Sequence, residues 1–334
     1  MTDLLSQSPS LWNVTLFILA AVALLLIVLF FVTYAIYFER KVIGWMQLRI
    51  GPNRVGPLGL LQTVVDVAKL LLKEDTRPKD ADKALYALAP VLAYAPAFAV
   101  LAVMPFTESI QFADLGIGVL YYMALSSITV LGVITAGWAS NNKYSLIGGM
   151  RSAAQMISYE VPLVMSVLGV ILMTGSMNLR EIVEAQRDIW NIVPQILGFG
   201  VFIIAAQAEL NRTPFDLPEA ESELVAGYHV EYSGFRFAMF MLSEYVYMFG
   251  MGSLVTILFL GGWLPLFGLD FIPGIVWFIL KFLLYVFFQF WIRATMPRFR
   301  ADQLLPFAWK GLLPIALVNI LITAVVISIQ NGTL

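Results

Sequence analysis

Eight apolar runs of about 20 residues or more take up most of this chain: 14–38, 85–106, 117–138, 154–175, 189–208, 237–263, 274–294 and 309–330. A helix needs roughly 20 apolar residues to cross a bilayer. Amides and carbonyls inside hydrocarbon have no water to bond, so such runs must satisfy their backbone groups internally. The pattern predicts an all-α polytopic membrane protein: a single integral membrane domain over 1–334, with eight transmembrane helices. Composition agrees, with 60% of residues hydrophobic and 13% charged, against about 25% charged in soluble domains. The first run has no basic segment ahead of it and is followed by Glu39, Arg40 and Lys41. It reads as a retained span rather than a cleaved signal.

Orientation follows from the basic residues. The loops after the first, third, fifth and seventh runs, counted to the adjoining span edges, hold 17 of the 20 Lys and Arg. Basic loops stay on the cytoplasmic side. This predicts cytoplasmic loops at 39–84, 139–153, 210–236 and 295–308, with both termini outside. The other side carries only Arg180 and Arg187, and Lys281 lies inside the seventh run. Two loop segments are themselves patterned. In 57–74, Gln62, Asp66, Lys69 and Lys73 recur at spacings of four, three and four, leaving an apolar surface. That is the pattern of an interfacial amphipathic helix. In 177–193, Met177, Leu179, Ile182, Val183, Ile189 and Trp190 form a comparable stripe on the outer side.

Several chemistries are excluded or disfavoured. There is no cysteine, so the chain offers no disulfide, thiolate metal site or iron–sulfur ligation. The single His229 and the lack of ligand-like spacings argue against an intrinsic metal, and no nucleotide-binding glycine loop occurs. A net charge of −2 points to no polyanionic or polycationic partner.

The chemistry instead lies in acids at membrane depth. Glu39, Glu160, Glu209 and Glu244 sit inside or at the ends of spans. An ionisable residue there costs about 2.5 to 3.5 kcal/mol on insertion scales, so its default reading is functional. Glu39 and Glu209 lie near span ends beside Arg40 and Arg212 and could also be hydrated interfacial groups. Glu160 and Glu244 have apolar neighbours on both sides. Lys281 could snorkel or pair with a carboxylate of another span. Desolvation disfavours a carboxylate's charged form, so such acids, linked by water, hydroxyls and the nearby Tyr159, Tyr228, Tyr232, Tyr245 and Tyr247, would make a proton relay. The loop NRTPFDLPEAESELVAGYHVEYSG, 211–234, adds Asp216, Glu219, Glu221, Glu223 and Glu231. Crowded like charges couple their titrations. Phe215, Leu217, Leu224, Val225 and Tyr228 between them suit a loop folded back into protein or under a partner.

FERKVIGWMQLRIGPNRVGP (38–57), SNNKYSLIGGMRSAAQMISYE (140–160), AELNRTPFDLPEAESELVAGYHVEYSG (208–234) and RATMPRFRADQL (293–304) together resemble the H subunit family of bacterial NADH:quinone oxidoreductases, related to the first subunit of mitochondrial NADH dehydrogenase. The likeness runs over essentially the whole chain. It implies a subunit of the bacterial cell (inner) membrane, at the heel of respiratory complex I. Such a subunit encloses much of the quinone-access chamber and begins the proton path. On the matching positions, Glu209, Glu219, Glu221, Glu223 and Glu231 correspond to an acidic funnel below the quinone cavity, and Glu160 and Glu244 to intramembrane members of the same path. Glu39, Arg40, Asp66, Arg212, Asp216, Arg293 and Arg298 correspond to charged residues of the quinone passage. Quinone would be the substrate, with no cofactor bound by this chain. FMN and iron–sulfur clusters would sit in partner subunits. Hydrophilic quinone-module subunits would lie on the cytoplasmic side, and small membrane and antiporter-like subunits alongside. Where some relatives carry a further acid in the third span, this chain has Ser126, Ser127 and Thr129. Competing readings are a homologous subunit of an energy-converting membrane hydrogenase, and a free-standing secondary transporter, which the lack of internal symmetry disfavours.

Overall fold

The computed structural model describes residues 11–217, 225–266, 269 and 271–330. Among them there is no strand, and the helices in chain order are α1 (Leu11–Met46), α2 (Gln62–Leu72), α3 (Lys83–Ala99), α4 (Gly118–Ala139), α5 (Lys143–Thr174) and α6 (Leu179–Glu184). They continue with α7 (Ile196–Glu209), α8 (Gly234–Leu258), α9 (Gly274–Thr295), α10 (Ala301–Pro306) and α11 (Leu313–Gln330). A π-helical turn, Phe307–Leu312, joins the last two. Among the described residues, seven helical segments are long and apolar enough to cross a membrane. The protein is an all-α polytopic membrane protein.

The expected fifth span differs most from its apolar run. Within 189–208 only Ile196 onward is helical, continuing to Glu209, a rise of about 21 Å at 1.5 Å per residue. That is shorter than a hydrocarbon core of about 30 Å. The preceding turns are fixed by amide side chains that claim backbone groups a helix would use. Gln186 donates to the carbonyls of Ile182 and Ile257, and its Oε1 accepts from the amides of Asn191 and Gly261. Asn191 donates to the Leu258 carbonyl at 2.8 Å. The same polar knot limits the stripe at 177–193. Its helix stops at Glu184, burying Leu179, Ile182 and Val183, while Ile189 is exposed.

Other boundaries lie further out than the apolar runs. α1 runs on to Met46, so Glu39 and Arg40 are helical rather than in a loop. α5 starts at Lys143, where the Asn142 side chain caps it by accepting from the Tyr144 amide. Small residues let this early part pack at close range, since a Cβ on Gly148 would stand 2.6 Å from the Gly227 Cα. Likewise Gly132 of α4 lets α3 approach until a Cβ would meet the Ala93 amide nitrogen at 2.6 Å. The amphipathic segment at 57–74 divides into a turn, Pro57–Gly59, and α2. Gly59 has φ +81°, and a Cβ there would lie 2.5 Å from the Pro52 carbonyl oxygen, so only glycine fits. Val64, Val65, Leu71 and Leu72 on α2 are exposed, leaving its apolar face uncovered by the described residues.

α8 is the most enclosed span, packed against α3, α9 and α1. α1 lies at the rim, with Leu19, Leu26 and Phe30 outward. Lys281 neither snorkels nor meets a carboxylate among the described residues. Lys281 is 2% exposed, and its ammonium donates to the carbonyls of Gly262 at 3.0 Å and Leu264 at 2.7 Å and lies 4.1 Å from the Trp190 ring centre. It ties α9 to the loop that follows α8.

Candidate functional site

Consecutive residues on a helix point about 100° apart, and α1 uses this to separate two neighbours. Glu39 turns into the bundle and is 4% exposed, whereas Arg40 turns outward. Around Glu39, three other elements converge. Arg293, in the last turn of α9, donates to its Oε1. Arg212, three residues past the end of α7, donates to Oε2 at 3.0 Å, and the Tyr245 hydroxyl of α8 donates to the same oxygen at 2.9 Å. The Arg212 guanidinium lies 4.4 Å over the Tyr245 ring, and its Nε stands 2.8 Å from Glu244 Oε1.

Two carboxylates and two guanidiniums therefore cancel in a largely dehydrated cluster. Arg212 is 2% exposed. Burial works most strongly against its charge, but the carboxylates of Glu39 and Glu244 outweigh it and hold its pKa well above the ordinary arginine value.

Two more pairs flank the quartet. Arg298 donates to Asp216 Oδ2 at 2.7 Å, with Thr213 at 3.5 Å from the same oxygen. On the outward side of α1, Arg40 donates to Asp66 Oδ2 at 2.6 Å, and Gln62 of α2 holds the other oxygen at 3.0 Å. Arg40 thus belongs with Asp66 and not with its sequence neighbour Glu39.

Glu209 is 4% exposed at the end of α7. It accepts a hydrogen bond from the Tyr247 hydroxyl at 2.7 Å, and its second oxygen has no hydrogen-bond partner within normal geometry among the described residues. Arg212, close in sequence, is turned away from it toward Glu39 and Glu244. A cavity of about 50 Å³ connects Glu209 with Glu244 and is lined also by Tyr247, Asn211, Thr129 and Ser243. Its volume suits one or two waters with several polar partners, and it is far below the ~300 Å³ of small-molecule pockets. Glu160, on α5, accepts from the Ser127 hydroxyl of α4, so the third span meets this acid through a hydroxyl.

Glu231 is held elsewhere. Its carboxylate accepts from Asn142 at 2.5 Å in a separate open cleft of about 350 Å³ bordered by Lys79, Asp80 and Lys143. Glu219, Glu221 and Glu223 lie outside the described residues. Among those described, no group of three or more His, Asp or Glu is placed to hold a metal.

Over residues 19–324 the sequence matches the NADH dehydrogenase family. It is 83% identical to the NADH-quinone oxidoreductase H subunit of Brevibacillus brevis across 99% of both chains, and 68% identical to that of Anoxybacillus flavithermus across 98% of both. The chain belongs to the H subunit family of NADH-quinone oxidoreductases. The corresponding subunit of Bacillus thuringiensis, 67% identical across 98% of both chains, agrees.

Within this family framework, several site residues escape a reading of the acids alone. Tyr245 serves Glu39, which is remote in sequence, and not its neighbour Glu244. Tyr247 serves Glu209. Of the other tyrosines expected to join a relay, Tyr159 donates to the Leu304 carbonyl at 2.9 Å. Tyr232 stacks on Tyr86 at 4.2 Å and donates to that residue's carbonyl. Both hold loops. Burial raises the Tyr232 pKa above the phenol range, which suits a fixed donor. The amides Gln155 and Gln207 likewise give no sign in the sequence. They bond to the backbone around Arg212, with Gln207 donating to the Thr213 carbonyl at 2.8 Å.

Proposed function

We propose that this chain is the membrane subunit in which quinone chemistry meets proton movement in an NADH-quinone oxidoreductase. Glu39, Arg40, Asp66, Arg212, Asp216, Arg293 and Arg298 border the quinone passage, and Glu209, Glu244 and Glu160 begin the proton path. The relatives are named for NADH and quinone, and without cysteine this chain offers no iron–sulfur ligands. Flavin and iron–sulfur clusters then belong to partner subunits, with the hydrophilic quinone-module subunits seated on the basic loops.

One observation carries the reading. Arg212 touches Glu39 on one side and Glu244 on the other, and Glu244 shares a water-sized polar cavity with Glu209. A charge change at the Glu39 end alters the field on Arg212, and through it the proton affinity of Glu244. In a dehydrated site such a field is weakly screened. Water in the cavity then offers a short route between Glu244 and Glu209. Glu219, Glu221 and Glu223 act as a coupled group and, with Glu231, supply protons from the loop side.

The test is proton uptake by the reconstituted enzyme. Glu209→Gln or Glu244→Gln, with the hydrophilic arm attached, should each sharply lower proton uptake, because neither carboxyl has a substitute on the cavity wall. Full pumping by either variant would remove the proposal. Glutamine at Glu219, Glu221 and Glu223 together should also impair pumping, whereas single changes there should be partly tolerated.

A further inference from the structure

We propose that Gln155 is a positioning residue that sets how Arg212 is shared between Glu39 and Glu244, an inference resting on the coupling role given to Arg212 above. Gln155 is on α5, 1% exposed. Its side-chain nitrogen lies 2.7 Å from the Ala208 carbonyl, 2.7 Å from the Phe215 carbonyl and 3.1 Å from Asn211 Oδ1. These acceptors bracket Arg212 in the chain, one on each side and one adjacent to it.

The orientation of the amide is fixed by chemistry. Its nitrogen carries two hydrogens, which suit the two carbonyls, with Asn211 sharing one of them. Flipped, the amide would set its oxygen against two carbonyl oxygens, so only the donating arrangement is stable. Its own oxygen, Oε1, has no partner among the described residues. Leaving a buried amide oxygen unmatched is unfavourable, and an apolar side chain of similar size would avoid it. The residue therefore serves here as a donor.

The loop has reason to need this donor. Asn211 adopts φ +51°, a left-handed conformation that residues other than glycine rarely take. The other ties near Arg212 are either short-range, from Gln207 to the Thr213 carbonyl and from the Phe215 amide to the Arg212 carbonyl, or lead to the segment after α9, where the Phe299 amide donates to the Pro214 carbonyl at 3.1 Å and Arg298 donates to Asp216. Gln155 instead refers the loop to α5, the helix that also carries Glu160. The Arg212 side chain meets partners from α1 and α8. Where the loop sits on α5 thus sets where the guanidinium falls between its two carboxylates.

The test uses the whole enzyme in membranes with Gln155→Met, which keeps length and volume but donates nothing, and Gln155→Glu, which sets an acceptor against the two carbonyls. NADH oxidation with a soluble artificial acceptor reports assembly. Quinone-linked turnover and protons taken up per NADH report positioning. With acceptor-linked activity retained, Gln155→Met should lose quinone-linked turnover about fivefold, the factor one net hydrogen bond supplies, and should lower the proton ratio. Gln155→Glu should lose more. Gln155→His, which keeps one donor, should recover part of both. Wild-type turnover and ratio in Gln155→Met would overturn the inference. So would a parallel loss of acceptor-linked and quinone-linked activity in all three variants, which marks a residue needed only for folding. Glu244→Gln, run alongside, reports on the underlying reading. Normal pumping there overturns that reading whatever Gln155 does, whereas impaired pumping there with an unaffected Gln155→Met overturns this inference alone.

Discussion

Replacing Arg212 by methionine tests whether the cluster around Glu39 is held by charge balance. The substitution keeps an unbranched side chain of moderate length and removes the guanidinium. It takes the quartet from two cations and two anions to one and two, with Glu39 still bonded to Arg293 and Tyr245 and Glu244 without its described cation. Removing one member of a buried ion pair costs about 3 to 5 kcal/mol, chiefly because the partner stays buried and unpaired. The surviving Arg293 contact argues for the lower end, about 3 kcal/mol. At about 1.4 kcal/mol per factor of ten, that is roughly a hundredfold in the equilibrium between ordered and disordered arrangements. The assay is the fraction of membrane-bound enzyme surviving graded heating, read by NADH oxidation with an artificial acceptor so that proton transfer does not enter. The distinguishing arm is Arg212→Met with Glu244→Gln, which restores one cation and one anion. If the loss is electrostatic, the double variant is more heat-stable than Arg212→Met alone, because contacting residues are not additive. A double variant less stable than either single one would refute the charge-balance argument and leave packing on Tyr245 as the role of Arg212.

Three further outcomes are expected. Arg40→Ala should lower quinone-linked NADH oxidation more than oxidation by a soluble acceptor, since Arg40 ties α1 to Asp66 on the exposed side of the bundle; equal loss of both in the assembled enzyme would remove its place at the quinone passage. Single cysteines introduced at 143 and 300 in this cysteine-free chain should be inaccessible to an impermeant thiol reagent outside intact cells, and labelling there would reverse the orientation drawn from the basic loops. Burial lowers the pKa of His229 to about 4 from 6.5, so the fold favours the neutral imidazole; that stability, about 3 kcal/mol, is fully present above pH 6.5 and is lost as pH falls through about 4. Heat stability in mild detergent should decline over that window less steeply in His229→Gln than in the natural chain, and identical slopes would contradict it.

Helix content was legible because hydrocarbon imposes one backbone solution on every long apolar run. Helix ends were less legible, for reasons visible at particular residues. Apolarity alone runs straight through Ile189–Gln195, but there Gln186 and Asn191 supply local alternatives to helical hydrogen bonds. Charged residues did not end α1 either, because Glu39 finds cations inside the bundle and Arg40 finds an anion outside it. Acids at membrane depth announced themselves by their cost, so Glu39, Glu209 and Glu244 were evident. Their partners were not. Tyr245 and Glu39 are separated by 206 positions, and helix packing alone unites them. Gln155 carried no signal, since a neutral amide in an α-helix reads as ordinary until the carbonyls it serves are in place.

The acids in and around the Glu39 cluster fall into two electrostatic kinds. Glu39 has two guanidiniums and a phenol, Asp216 and Asp66 each have an arginine, and Glu244 has Arg212. Glu209 and Glu160 have only hydroxyl donors, Tyr247 and Ser127. An acid locked to a cation holds its charge and shapes the field, while an acid bonded to a hydroxyl can gain or lose a proton without breaking an ion pair. Glu244 belongs to both kinds, because it faces Arg212 and also lines the cavity with Glu209. A perturbation of the quartet must therefore act through Glu244 to reach Glu209 by that cavity. On the proton path proposed above, the Arg212–Glu244 contact, rather than the Arg293–Glu39 one, is then the step at which a change of charge can become a movement of protons.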